Sequence, residues 1–190
     1  MKDASWAWVL PLLLASTLAT AAGYRQLDWL DLLTDSDRKA MLNLPAIDHS
    51  VSPERAVSPK DSLSTRFTRD IKQKSVREKW EHVLNSATVR PELDGVKIRL
   101  GGYLVPLESA GNGKVTEFFL VPYMGACIHV PPPPPNQLVY LTFAKGMKFE
   151  PQDIYEAWWV EGTLHTQMAH KSIADAAYTM TGDTIRIYQE

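Results

Sequence analysis

Cysteine is almost absent: Cys127 is the single one in 190 residues. A lone cysteine closes no internal disulfide, so the fold must hold itself together without a covalent cross-link. The chain also lacks a Cys-x-x-Cys pair, a His-Glu-x-x-His helix, a glycine-rich phosphate loop and a Ser-His-Asp spacing. Those absences remove the sequence signatures of a dithiol oxidoreductase, a zinc peptidase, a nucleotide-binding loop and a triad hydrolase. Charge of one sign is missing too. Lys and Arg number 20 against 22 Asp and Glu, a formal net charge of −2, which gives no electrostatic reason to expect nucleic acid as a partner. Glycine (10) and proline (13) are too few for a disordered chain, and the prolines are clustered. No internal repeat is visible. With 45% hydrophobic and 22% charged residues, the length fits one globular domain with extra segments.

The first residues bear on compartment. Lys2 gives a weakly positive start, Trp6 to Leu18 is apolar apart from Ser16 and Thr17, and Ala19-Thr20-Ala21 has the small side chains of a cleavage site. Residues 1–21 therefore read as a secretory signal peptide, too short for a comfortable membrane span. Asp3 weakens the basic start, and an uncleaved anchor is the other reading. Cleavage would leave a mature N-terminus near Ala22 or Gly23, a periplasmic location and no need for membrane contact. Export sharpens the question of Cys127. In an oxidising compartment a single thiol is buried and inert, held by a metal, bonded to a partner, or chemically active.

Residues 22–62 read as an N-terminal extension and linker, and residues 63–190 as one helix-plus-barrel domain. Within the extension, Tyr24 to Leu33 suits a short helix or a docking segment, Asp35 begins a helical patch that Pro45 ends, and residues 46–62 are polar with Pro53 and Pro59. Residues 63–87 have the period of a substantial helix, with Trp80 on its apolar stripe, expected to pack on the barrel. From Gly95 the period changes to two. Strands are expected from Gly95 to Leu104, Val115 to Tyr123, Gln137 to Phe143, Ile154 to Gln167 and Ile185 to Tyr188, with a small helix over 169–177. Trp158, Val160 and Leu164 share one face of the fourth strand. Trp159, Glu161, Thr163 and His165 share the other. The fold class is mainly β with flanking helices (α+β): a small five-stranded antiparallel OB-like barrel, or alternatively a split β-sandwich.

The chemistry gathers in Gly125-Ala126-Cys127-Ile128-His129-Val130, followed by Pro131, Pro132, Pro133, Pro134, Pro135, Asn136 and Gln137. Five prolines make a short polyproline II rod without backbone donors. Residues two apart on extended chain face the same way, so Cys127 and His129 can converge on one point. That is half of a tetrahedral zinc site, or a nucleophile beside its base. His165, Glu161 and His170 are candidates to complete it, His165 first. Gly125 supplies a backbone conformation other residues avoid. The rod, with Asn136 and Gln137 after it, reads either as an edge that blocks strand pairing or as a ligand for a partner's aromatic groove. A thiolate nucleophile wants basic surroundings or a helix N-terminus, and this segment is mostly apolar. His49 and His82 read as ordinary surface residues.

Gly102-Tyr103-Leu104-Val105-Pro106-Leu107, Glu117 to Tyr123, and Gly125 through Gln137 resemble a bacterial exported family known only as a domain of unknown function. The resemblance runs from about Trp80 to Tyr188, with a weaker likeness at Asp28-Trp29. It implies an exported protein without an assigned activity. It also implies an association with ATP-binding-cassette transporters and metal-linked genes, which favours metal handling. Three readings follow. The first is an accessory protein binding zinc or another transition metal through Cys127, His129 and His165. The second is a non-catalytic interaction module docking a transporter or envelope partner through Pro131 to Gln137. The third is a thiol enzyme.

Overall fold

The computed structural model describes residues 23–44, 63–109, 113–126 and 133–189. The expected signal peptide, most of the expected linker with His49, and Cys127, His129, Pro131 and Pro132 lie outside the described residues. In chain order the elements are β1 (Arg25–Leu27), a 3-10 helix (Trp29–Leu32), α1 (Asp35–Leu42), α2 (Leu63–Leu84), β2 (Val96–Ser109) and β3 (Val115–Val121). There follow β4 (Val139–Met147), β5 (Ala157–His165), the short β6 (Ala169–His170) and β7 (Asp175–Ala176), and β8 (Tyr178–Ile187).

Alternation builds the barrel. Ile98, Leu100 and Leu104 of β2, Phe118 and Leu120 of β3, Val139 and Leu141 of β4, and Val160 and Leu164 of β5 are all fully buried in one core, because alternate residues of a strand share a face. The strands close in the order β2-β3-β4-β8-β5, with β5 pairing back to β2 from Val96↔Leu164 to Tyr103↔Ala157. The OB-like barrel is therefore present, and the closing β2–β5 ladder sets the split sandwich aside. One seam departs from an all-antiparallel barrel: β4 and β8 pair in parallel, Val139↔Tyr178 to Thr142↔Thr181. Parallel neighbours need a long connection, and β5 with the segment after it supplies one.

Within the barrel β2 serves two partners. Its first half pairs with β5 and its second with β3, and Tyr103 pairs with both Ala157 and Val121. Gly101 and Gly102 sit beside that handover, where a strand turns a barrel corner.

Two expectations change. Residues 169–177 hold the antiparallel β6–β7 pair, Ala169↔Ala176 and His170↔Asp175, rather than a helix. The N-terminal stretch is part of the domain rather than an extension. β1 adds to β2 in parallel, and Leu27, Leu32 and Leu33 are buried. In the C-terminal part of α2, Val83 is buried at 5% exposure while Leu84 stands out at 47%. α2 lies against α1.

A second apolar cluster lies outside the barrel wall. Val105, Phe119, Val121, Ala126, Leu138 and Ala176 form it, with Tyr103, Leu107 and Tyr140 at its margin. Phe118 to Val121 is thus buried on both faces of β3, inward to the barrel and outward under the β6–β7 hairpin.

Candidate functional site

The segment the sequence singles out leaves the barrel after β3 and returns to it before β4. Its departure is fixed. Gly125 takes φ +81 in the turn, a conformation that suits glycine, and Ala126 is fully buried in the outer cluster. Beside that turn Tyr123 and Met124 are 44% and 54% exposed.

The return is fixed more tightly. Pro133 and Pro134 are buried, and Pro135 is half-buried. Ala177 donates its backbone N–H to the Pro135 carbonyl at 2.8 Å, and Asn136 donates its own to the Ser86 carbonyl at 3.1 Å. Asn136 and Gln137 are among the three buried polar residues of the described chain, the third being Asp37. Asn136 Nδ2 donates to Asp37 Oδ2 and to Ser86 Oγ, both at 3.1 Å. Thr34 Oγ1, Ser86 Oγ and Thr88 Oγ1 donate to the same carboxylate oxygen. Gln137 Nε2 reaches the Trp29 carbonyl at 2.8 Å. Tyr178 completes the knot: its hydroxyl accepts from Arg90 N–H at 2.8 Å and donates to the Leu32 carbonyl at 2.7 Å.

Asn136 and Gln137, read from the sequence as partner-binding, are buried in the described structure. Their amide N–H groups are given inside the protein, to Asp37, Ser86 and the Trp29 carbonyl, while Asn136 Oδ1 is buried without a partner. Pro133 and Pro134 are likewise packed inward. A buried amide with internal partners is a structural device.

The described candidates for completing a metal site do not converge. His165 ends β5 opposite Thr179 and places Nδ1 3.7 Å from Asp94 Oδ1. His170 Nδ1 lies 2.8 Å from Asp175 Oδ1 across the hairpin. Glu161 accepts from Arg186 at 2.6 Å and lies 3.9 Å from Arg99. Among the described residues no cluster of three His, Cys, Asp or Glu could hold a metal ion. Cys127 and His129 are outside that set.

A second cluster lies on the outer face of β3 and β4. Lys171, just past β6, donates to Glu117 Oε2 at 2.9 Å and lies 4.3 Å from the Tyr140 ring centre. The Tyr140 hydroxyl and then Lys171 hold the Glu117 carboxyl below its usual range, against the opposing effect of burial. Burial first, and the Glu117 hydrogen bond second, push Tyr140 up. Hydrogen bonds to Tyr140 and Glu117 push Lys171 well above its ordinary value. The hairpin is therefore buttoned by charge as well as packed. OB folds use the equivalent strand face for oligonucleotides and oligosaccharides; here the protein's own hairpin covers it.

The family described as protein of unknown function (DUF3299) matches residues 29–187. The crystal structure of a DUF3299 family protein from Pseudomonas aeruginosa PAO1 is 33% identical, with a TM-score of 0.60, and the match covers 88% of this chain and 98% of that one. No curated protein matches the chain. The chain belongs to the DUF3299 family.

Proposed function

We propose that this member of the DUF3299 family is an exported envelope protein that binds a transition metal, zinc first, through Cys127 and His129. The observation that supports this reading is that the described residues on either side of the 127–132 stretch are held in place. Ala126 is fully buried on one side, and Asn136 is 1% exposed and knotted to Asp37 on the other. Ligands hung between fixed points lose less conformational entropy when a metal joins them. His165 is the proposed third ligand and would have to exchange its Asp94 neighbour for the metal. Two or three protein ligands leave a coordination position open, which suits transient holding and transfer better than a closed structural site.

Elemental analysis of protein purified under reducing conditions tests this. Wild type should carry zinc at up to one equivalent, Cys127→Ser none, and His129→Ala a reduced amount. Ligating thiols and imidazoles must be deprotonated, so affinity should fall as pH drops below neutrality. Equal background zinc in all three proteins would end the metal reading. For export, mass analysis of envelope-fraction protein should give an N-terminus near Ala22 or Gly23, and an intact Met1 would contradict cleavage. Among the described residues no helix is long and apolar enough to cross a membrane.

A second reading is an interaction module for a transporter or envelope partner. The exposed Tyr123 and Met124 beside the departing segment favour it. Its docking surface would then be those two side chains with Pro131 and Pro132, rather than Asn136 and Gln137.

A further inference from the structure

A cavity of about 320 Å³ opens on the outer wall of the barrel, between the N-terminal segment and strands β2 and β5. That is the small end of the range for ligand pockets, ~300–1,000 Å³. Gly101 and Gly102 line it with bare backbone. A Cβ on Gly102 would stand 2.6 Å from the Val121 carbonyl oxygen, and one on Gly101 would stand 3.1 Å from Trp159. Leu27, Leu100, Pro122 and Ala157 make the neighbouring surface apolar.

The rest of the lining is polar at its tips. Tyr103 and Tyr188 bring two phenolic hydroxyls, each able to donate and to accept. Asp28 is exposed and brings a carboxylate, which only accepts. Trp159 Nε1 is buried without a partner, a donor left to be satisfied. The Trp159 ring itself is covered. Tyr188 stacks on it with centroids 4.6 Å apart and planes 22° apart, and Arg99 lies 4.1 Å from its centre. Trp29 gives its own N–H to the Gly101 carbonyl at 2.7 Å.

That lining selects by charge and by hydrogen-bonding capacity. An anion meets no lysine, arginine or histidine among the lining residues. A ligand that works by stacking finds the Trp159 faces taken. A wholly apolar ligand would cut the phenols and the carboxylate off from water and give them nothing in return, at a cost for each. The lining instead asks for one apolar face beside an edge of groups that donate and accept together. A pyranose ring has both, in its C–H face and its hydroxyls. We propose that this cavity binds a neutral saccharide through a single pyranose ring. The C–H face lies on the apolar surface, the hydroxyls exchange bonds with Tyr103 and Tyr188 and donate to Asp28, and a sugar oxygen accepts from Trp159 Nε1.

Four methyl glycosides, of glucose, galactose, mannose and N-acetylglucosamine, titrated into the full chain test the assignment by tryptophan fluorescence and calorimetry. The control is 2-methoxytetrahydropyran, the same ring without its hydroxyls. At least one glycoside should bind saturably and about tenfold or more tighter than the control. Methyl glucuronide, which carries a carboxylate, should bind more weakly than methyl glucoside, and Asp28→Asn should narrow that gap. The double variant Tyr103→Phe, Tyr188→Phe keeps both rings. It should lose at least about tenfold in glycoside affinity, with the control unaffected and thermal melting retained. Saturable binding of none of the four glycosides, equal affinity for glycoside and control, or glycoside binding unchanged in the double variant would overturn the proposal. The metal reading is untouched by any of these outcomes.

Discussion

Asn136 stands at a crossing of polar contacts far apart in the sequence. Its Nδ2 is shared between Asp37 and Ser86, so Asn136→Ala would strip a donor from each inside the protein. The expected cost is about 1–3 kcal/mol, read from the urea midpoint. Tyr178→Phe should cost a similar ~1–3 kcal/mol, since the phenol oxygen serves both Arg90 N–H and the Leu32 carbonyl. The sequence makes Asn136 and Gln137 conspicuous by placing them after five prolines. It shows what an amide can bond, and not which side of the wall it faces. Apart from Thr34, the partners of Asp37 are hidden from the sequence, because Ser86, Thr88 and Asn136 lie 49, 51 and 99 residues away. The bond from Trp29 Nε1 to the Gly101 carbonyl, across 72 residues, is hidden for the same reason. Gly125 is the opposite case: its positive φ is a local property, and a local reading finds it.

Strands are legible where burial is one-sided. β5 alternates without a fault, Trp158, Val160 and Leu164 inward and Trp159, Glu161, Thr163 and His165 only partly covered. The β6–β7 hairpin is not legible, because two residues per strand leave no period to read, and Ala174, Ala176 and Ala177 suit a helix as well. This hairpin should be acid-sensitive. Glu117 is depressed from its ordinary value of 4.5, so its contribution is complete above that value and is lost as pH falls through the lower folded value. Lys171 is raised from 10.5, so its contribution is complete below that value and fades only at higher pH. The urea midpoint should therefore hold through neutrality and fall below about pH 4, and Glu117→Gln should flatten part of that fall. The β5–β8 seam offers a steric prediction. A Cβ on Gly162 would lie 2.3 Å from the Thr181 carbonyl oxygen, so Gly162→Ala must force the strands apart. A loss of roughly 1–3 kcal/mol is expected in thermal melting.

At the scale of the molecule, the N-terminal stretch and the barrel form one unit. Leu27 and Leu32 lie in the same core as Phe118 and Val160, and Trp29, Leu32 and Asp37 each bond residues from the far half of the chain. A variant lacking residues 23–44 should lose cooperative unfolding by circular dichroism. A barrel that still melts sharply would show that the stretch is an accessory. Chain order conceals this union, since residues 46–62 read as a linker and invite a boundary there.

The parallel β4–β8 seam also governs the tempo of folding. The last of the five barrel strands in chain order must slot between the third and the fourth, so β4 and β5 keep open edges until β8 arrives. Two of the five ladders that seal the barrel, β2–β5 and β4–β8, join strands that do not follow one another in the barrel's chain order. Such a topology belongs with the slow folders, on the order of milliseconds to seconds. Throughout that interval the unsealed sheet would offer unpaired backbone to neighbouring chains.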